Sequence, residues 1–130
     1  MNETKNYSIT KSGAVILEGG ANRGVFTAGA LDFLMEQEYY IPHVIGVSAG
    51  ACNALDYVSR QIGRTRDCMI VTDEKNRYVN KNIKTIVEKK ALLDMDMVFE
   101  RYPYEIFPFD FDTYFASVSY THLRAHETKA

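Results

Sequence analysis

Val44-Ile45-Gly46-Val47-Ser48-Ala49-Gly50 is the stretch that decides how this chain folds. Residues 44–47 form an apolar run of strand length, and a glycine stands on either side of Ser48. Beyond the serine the period changes. Ala51, Ala54, Leu55, Val58 and Ile62 recur at helical spacing, with Asn53, Asp56 and Arg60 on the opposite face, expected to be solvated. The pattern predicts a helix of about three turns, stopped by Gly63. A serine on a sharp strand-to-helix turn is the G-x-S-x-G nucleophile elbow, which projects the hydroxyl away from the sheet. The helix that follows aims its free N–H groups and its dipole at any oxyanion formed there. The pentapeptide alone is weak, since a chance match in a chain this long has a frequency on the order of 4% at ordinary glycine and serine usage. Its context makes it informative.

Upstream, Ala14-Val15-Ile16-Leu17 is a second short apolar run, expected to be a buried parallel strand, and it ends at Glu18-Gly19-Gly20. From Gly24 the pattern is helical. Phe26, Ala30 and Phe33 form one apolar row, Ala28, Leu31, Leu34 and Met35 another, while Asp32 and Glu36 share a solvated side. So wide an apolar face predicts firm packing on a sheet. The order strand, glycine turn, helix, strand, glycine turn, helix indicates an α/β fold with a parallel sheet.

The first turn, Gly19-Gly20-Ala21-Asn22-Arg23-Gly24, admits several readings. A dinucleotide fingerprint needs glycine where Ala21 stands, and a phosphate-binding P-loop needs G-K-[ST], which is absent. A plain turn into a helix needs fewer glycines. The remaining reading is an oxyanion hole, with backbone N–H groups at a helix N-terminus facing a tetrahedral acyl-transfer intermediate.

Composition narrows the function classes. A net charge of -2 and no Lys/Arg stripe interleaved with aromatics argue against a nucleic-acid partner. Cys52 and Cys68 show no metal-ligand spacing and are expected to be reduced thiols of a cytoplasmic protein. No signal-peptide pattern opens the chain, and no apolar run approaches the roughly 20 residues of a membrane span. All eight glycines fall between Gly13 and Gly63, where average usage of about 7% would place four or five in the remainder. In that second half, residues 68–72 are expected as a short strand or extended loop, 80–90 as an exposed helix, and 92–99 as a further helix. Residues 102–112 read as an aromatic, proline-broken loop before 113–116.

Taken together, Leu17-Glu18-Gly19-Gly20-Ala21-Asn22-Arg23-Gly24-Val25-Phe26-Thr27-Ala28-Gly29 and Val44-Ile45-Gly46-Val47-Ser48-Ala49-Gly50-Ala51 resemble the patatin-like phospholipases, particularly the bacterial members. The resemblance implies a three-layer α/β fold with a mainly parallel sheet, truncated here. It also implies a lipid acyl hydrolase that cleaves esters through a Ser-Asp dyad and an acyl-enzyme, with no metal and no cofactor. By position, Ser48 is the nucleophile and Gly46, Val47, Ala49 and Gly50 form its elbow. Gly19, Gly20, Ala21, Asn22, Arg23 and Gly24 form the Gly-rich loop, with Gly20, Ala21 and neighbouring N–H groups lining the oxyanion hole and Arg23 fixing the loop. Ala21 stands where the family usually has a third glycine, and its Cβ is expected to strain the turn. The implied partner is a lipid or ester substrate, with peripheral membrane contact compatible with it.

The family's base is the Asp of a D-G-[GA] motif, and this chain has no Asp-Gly. Asp67, Asp73, Asp94, Asp96, Asp110 and Asp112 are read as solvated or capping carboxylates, so the catalytic Asp is expected to be absent and the chain inactive. Val118-Ser119-Tyr120-Thr121-His122-Leu123-Arg124-Ala125-His126-Glu127-Thr128 resembles one reading frame of a common transposon-type sequencing adapter. The expected organisation is a polar extension at 1–12, the N-terminal part of a patatin-like catalytic domain at 13–117, and a non-native tail at 118–130. His43 is read as a surface or strand-edge residue. Two rivals stand beside this reading. One is an α/β-hydrolase-type esterase whose Ser-His-Asp triad uses His122 or His126; the other is a non-enzymatic module that binds phosphate or nucleotide at the Gly-rich turn.

Overall fold

A computed structural model describes residues 12–117 and 120–124, the last five as backbone. The polar extension expected at 1–12 therefore lies outside the described residues except for Ser12, as does His126. Packing divides the chain into two compact units, Met1–Arg66 with Asp110–Ala130, and Asp67–Phe109.

The first unit is built on a parallel sheet of order β1-β2-β3, with β1 at Ala14–Leu17, β2 at His43–Val47 and β3 at Tyr120–Arg124. Val15 pairs with Val44 and Leu17 with Gly46; on the other side of β2, Ile45 pairs with His122 and Val47 with Arg124. A parallel pair needs a crossover, and α1 (Gly24–Glu36) supplies it between β1 and β2. Helix α2 (Ala49–Val58) leaves the end of β2. The mixed α/β class with a parallel sheet is as the strand–turn–helix order predicts. Strand β3 lies within the stretch that resembles an adapter, and its extended segment pairs along the β2 edge.

Core residues come from β1 (Leu17), α1 (Leu31, Met35), the connector (Tyr40), β2 (Val44) and α2 (Ala54, Tyr57, Val58), with Tyr114 of α5 (Phe111–Ala116) packed against them. Tyr57 pins the connector. Its hydroxyl donates to the Tyr39 carbonyl at 2.7 Å and accepts from the Ile41 amide at 2.9 Å, which fixes the chain just before β2 begins. The Arg60 guanidinium lies 3.7 Å from the centre of the Tyr40 ring, a cation–π contact on the same connector.

Several expectations need correction. Helix α1 buries Gly24, Ala28, Leu31 and Met35 but leaves Phe26 87% and Phe33 60% exposed, because a helix against one sheet face covers only one stripe. Strand β1 is covered on one face only, with Leu17 buried and Ile16 exposed. On α2 the expected solvated face is inside: Asn53 and Asp56 are only 2% and 3% exposed, whereas Ile62 is exposed. Asn53 Nδ2 and the Asp56 carboxylate find partners elsewhere in the chain, while Asn53 Oδ1 has none among the described residues. The helix also stops at Val58, ahead of the expected end at Gly63.

The second unit departs further from expectation. Residues 64–69 are helical (α3, Arg64–Met69), where 68–72 read as extended. Helix α4 (Ile83–Lys89) lies where an exposed helix is expected, with Ile83 and Val87 exposed. Residues 97–106, expected to pass from helix into loop, form a π-helical segment that runs through Pro103. Phe107 N–H donates to the Tyr102 carbonyl at 2.9 Å, the five-residue spacing of a π-helix, while Pro103 has no N–H to donate. Tyr102 anchors the unit. Its hydroxyl donates to the Asn76 carbonyl at 2.5 Å, its ring meets Tyr78 and Phe107 edge-on, and burial pushes its phenol up to about 12.

Candidate functional site

Both glycine turns open at the C-terminal ends of adjacent parallel strands, β1 and β2, where α/β sheets place their ligands. Ser48 ends the second strand with φ 54° and ψ −123°, a conformation costly for any residue with a Cβ. It is exposed, and it makes no capping hydrogen bond to the helix that follows. Its carbonyl instead starts α2, accepting from Ala51 N–H at 2.8 Å. The hydroxyl is thus held at a sharp corner and is not absorbed by its own helix.

The flanking glycines have steric reasons to be glycines. A Cβ on Gly50 would collide with the Leu17 and Glu18 carbonyls, so α2 begins in direct backbone contact with the end of β1. One on Gly46 would collide with the Gly50 carbonyl and lie 2.8 Å from Ala51 Cα, so α2 also folds back closely over β2. The two contacts wedge the elbow between neighbouring strands.

The first turn lies against the second. A Cβ built on Gly19 would stand 3.1 Å from Ser48 Cβ and 3.7 Å from its Oγ, which puts the Gly19 backbone beside the serine side chain. Ala21, Asn22 and Arg23 form a single 3₁₀ turn leading into α1. Ala21 has φ 46°, in the left-handed region that disfavours a Cβ, as expected where the family usually carries glycine. The Arg23 side chain folds back over Gly20, where an added Cβ would lie 3.3 Å from its Nε, and Arg23 N–H donates to the Gly20 carbonyl at 3.0 Å. Ala21, Asn22, Arg23, Val47 and Ser48 are exposed, while Gly24, Gly46, Ala49 and Gly50 are buried beneath them. The first turn and the exposed Ser48 side chain thus lie side by side.

Beneath the two turns is a pair of side chains that the sequence reading placed in solvent. Asn53 Nδ2 donates to the Gly24 carbonyl at 3.1 Å and to the Ala49 carbonyl at 3.2 Å. Asp56 accepts from Thr65 Oγ1 at 2.5 Å and from Arg64 Nη1 at 3.0 Å. Burial pushes its carboxyl above the usual carboxylate range, against the opposing pull of Arg64 and Thr65. No local pattern marks either residue, because their longer-range partners, Gly24, Arg64 and Thr65, lie outside α2.

Of the carboxylates set aside in the sequence reading, three occupy capping posts. Asp73, Asp94 and Asp110 each accept a hydrogen bond from a backbone N–H two or three residues on, as capping residues do. His43 is exposed at the start of β2, the end away from Ser48, with Nδ1 3.2 Å from the Gly13 carbonyl. The backbone of His122 stands opposite Ile45. Among the described residues, no cluster of three or more His, Cys, Asp or Glu could hold a metal ion, and no helix is long and apolar enough to cross a membrane. Cys52 and Cys68 form no disulfide.

Comparisons with known proteins point to a family. Over 88 residues, 67% of the chain, the sequence is 32% identical to the uncharacterized protein YjjU of Escherichia coli (strain K12), and it spans 24% of that protein's length. No solved structure matches. The model of the patatin-like phospholipase family matches residues 15–125, so it takes in both glycine turns and all three strands. With that match covering most of its length, the chain belongs to the patatin-like phospholipase family.

Proposed function

We propose that this chain is the nucleophile-bearing front part of a serine lipid acyl hydrolase, with Ser48 as the attacking residue. Ser48 Oγ adds to the carbonyl carbon of a lipid ester and gives its proton to a base. The negative charge that develops on the carbonyl oxygen is met by N–H groups of the turn at Gly20 and Ala21. The carbon–oxygen bond to the alcohol then breaks, the alcohol leaves with a proton, and water hydrolyses the acyl-serine. The observation that carries this reading is the contact of Gly19 with Ser48, which sets an amide-rich turn beside a strained, exposed serine.

The base is an Asp outside these 130 residues, because no aspartate of the chain is followed by glycine, Asp73, Asp94 and Asp110 accept hydrogen bonds as capping residues, and Asp56 is held by Arg64. Residues 118–130 are a non-native tail in this reading, so His122 and His126 take no part. Hydrolysis of a p-nitrophenyl acyl ester tests the proposal. The full-length gene product should turn over in a Ser48-dependent way, and this chain alone should show little or none. Full turnover by the chain alone would mean that its base lies within these residues.

A further inference from the structure

Asn53 is a buried polar side chain that touches both helices leaving the two glycine turns. It sits one turn into α2 and is almost wholly buried. Its two hydrogen bonds go to Gly24, the first residue of α1 and the last of the Gly-rich turn, and to Ala49, the residue after Ser48. The orientation of the amide is determined, since both partners are carbonyls and only the NH2 group can donate to them. Its Oδ1 is then left with no hydrogen-bond partner among the described residues. A buried acceptor without a donor is unfavourable, so an aliphatic side chain of similar size would serve plain packing better. The amide is not needed to complete the helices either. The carbonyls it meets sit in the first turns of α1 and α2, where helix geometry already provides each with an N–H four residues on.

What the amide does contribute is a fixed spacing between the starts of two helices. Each start carries a residue in a strained conformation, Ala21 at φ 46° and Ser48 at φ 54°. Such conformations persist only where the surroundings over-determine them. We infer that Asn53 is a positioning residue, which holds the Gly-rich turn in register with Ser48 so that its amides meet the oxyanion. This rests on Ser48 being the nucleophile, as proposed above. Asn53 touches neither substrate nor reacting atoms.

The test is steady-state kinetics and thermal unfolding of the full-length gene product, its Ser48→Ala variant, and the Asn53→Leu and Asn53→Ala variants. Asn53→Leu should melt at or above the parent temperature, since it removes the unpaired Oδ1. Its kcat should fall about 10- to 100-fold while KM stays within about twofold, the pattern of a misplaced stabiliser of the transition state. Asn53→Ala should show the same kcat loss. A folded Asn53→Leu protein with parental kcat would overturn the inference, as would failure of both variants to fold, which would assign the amide to the fold alone. An unchanged rate in Ser48→Ala would instead remove the nucleophile assignment, and the inference with it.

Discussion

Gly19 lies beside Ser48 so closely that a methyl group on it would sit 3.1 Å from the serine Cβ. The first glycine turn and the Ser48 turn are therefore two halves of one surface, brought together by pairing β1 with β2 in parallel and by the entry of α2 against the ends of both strands. Gly50 enforces that entry, and its importance is directly measurable. Gly50→Ala should destabilise the protein by about 2 kcal/mol or more, since a backbone carbonyl cannot move aside as a side chain can. Gly29 of α1 is the control: nothing lies within 4 Å of its absent Cβ, and Gly29→Ala should gain about 0.5–1 kcal/mol from helix propensity. Equal losses at the two positions, read by denaturant unfolding, would contradict the wedge.

Ala21 holds a left-handed conformation that costs an alanine about 1–2 kcal/mol relative to glycine. Glycine gives back part of that through its freer unfolded chain. The net expectation for Ala21→Gly is a gain of roughly 0.5–1 kcal/mol in unfolding free energy. Ala21→Val, with a branched Cβ, should lose stability. A loss for the glycine variant would mean that the turn is not strained.

Tyr57 joins α2 to the connector through two hydrogen bonds from one hydroxyl. Tyr57→Phe keeps the ring in the core but leaves the Ile41 N–H and the Tyr39 carbonyl without that partner. A cost of about 1–3 kcal/mol follows, without loss of fold. Hydrogen exchange at Ile41 reports it locally, and an unchanged exchange rate there would count against the pin.

Asp56 gives the pH dependence a definite sign. Burial raises its folded pKa above the unfolded value, so the native state binds the proton more tightly. The stability this contributes is fully present below about pH 3.9 and is lost as pH rises through the folded pKa. Asp56→Asn removes that titration. The unfolding free energy of the variant minus that of the parent should therefore increase between about pH 4 and pH 7. A difference that is flat or declining over that range would show that Arg64 and Thr65 outweigh burial.

The sequence made residues 13–50 legible and much of the rest obscure, for physical reasons. Residues 14–17 and 44–47 are bounded by glycine turns whose chemistry is local, so β1, β2 and both turns stand where the pattern puts them. Ala21 was legible too, as a non-glycine within the Gly-rich turn at a position where φ is positive. Asn53 and Asp56 were not. A polar residue on a helix reads as solvated unless its partner is known, and Gly24 lies 29 residues away in sequence. Phe26 and Phe33 were misplaced by the converse error, since apolar residues on two rows of α1 do not reveal which row meets the sheet. In residues 97–106 the π-helical spacing carries the helix past Pro103, a residue that reads as a breaker when only α-helical spacing is considered.

The central claim is that Ser48 is an activated nucleophile, and a fluorophosphonate probe tests it most directly, because it reacts covalently with such serines. In the full-length gene product, labelling should occur at one site and vanish in Ser48→Ala, with the melting temperature of the variant unchanged. Labelling that persists at the parental rate in Ser48→Ala would contradict the account.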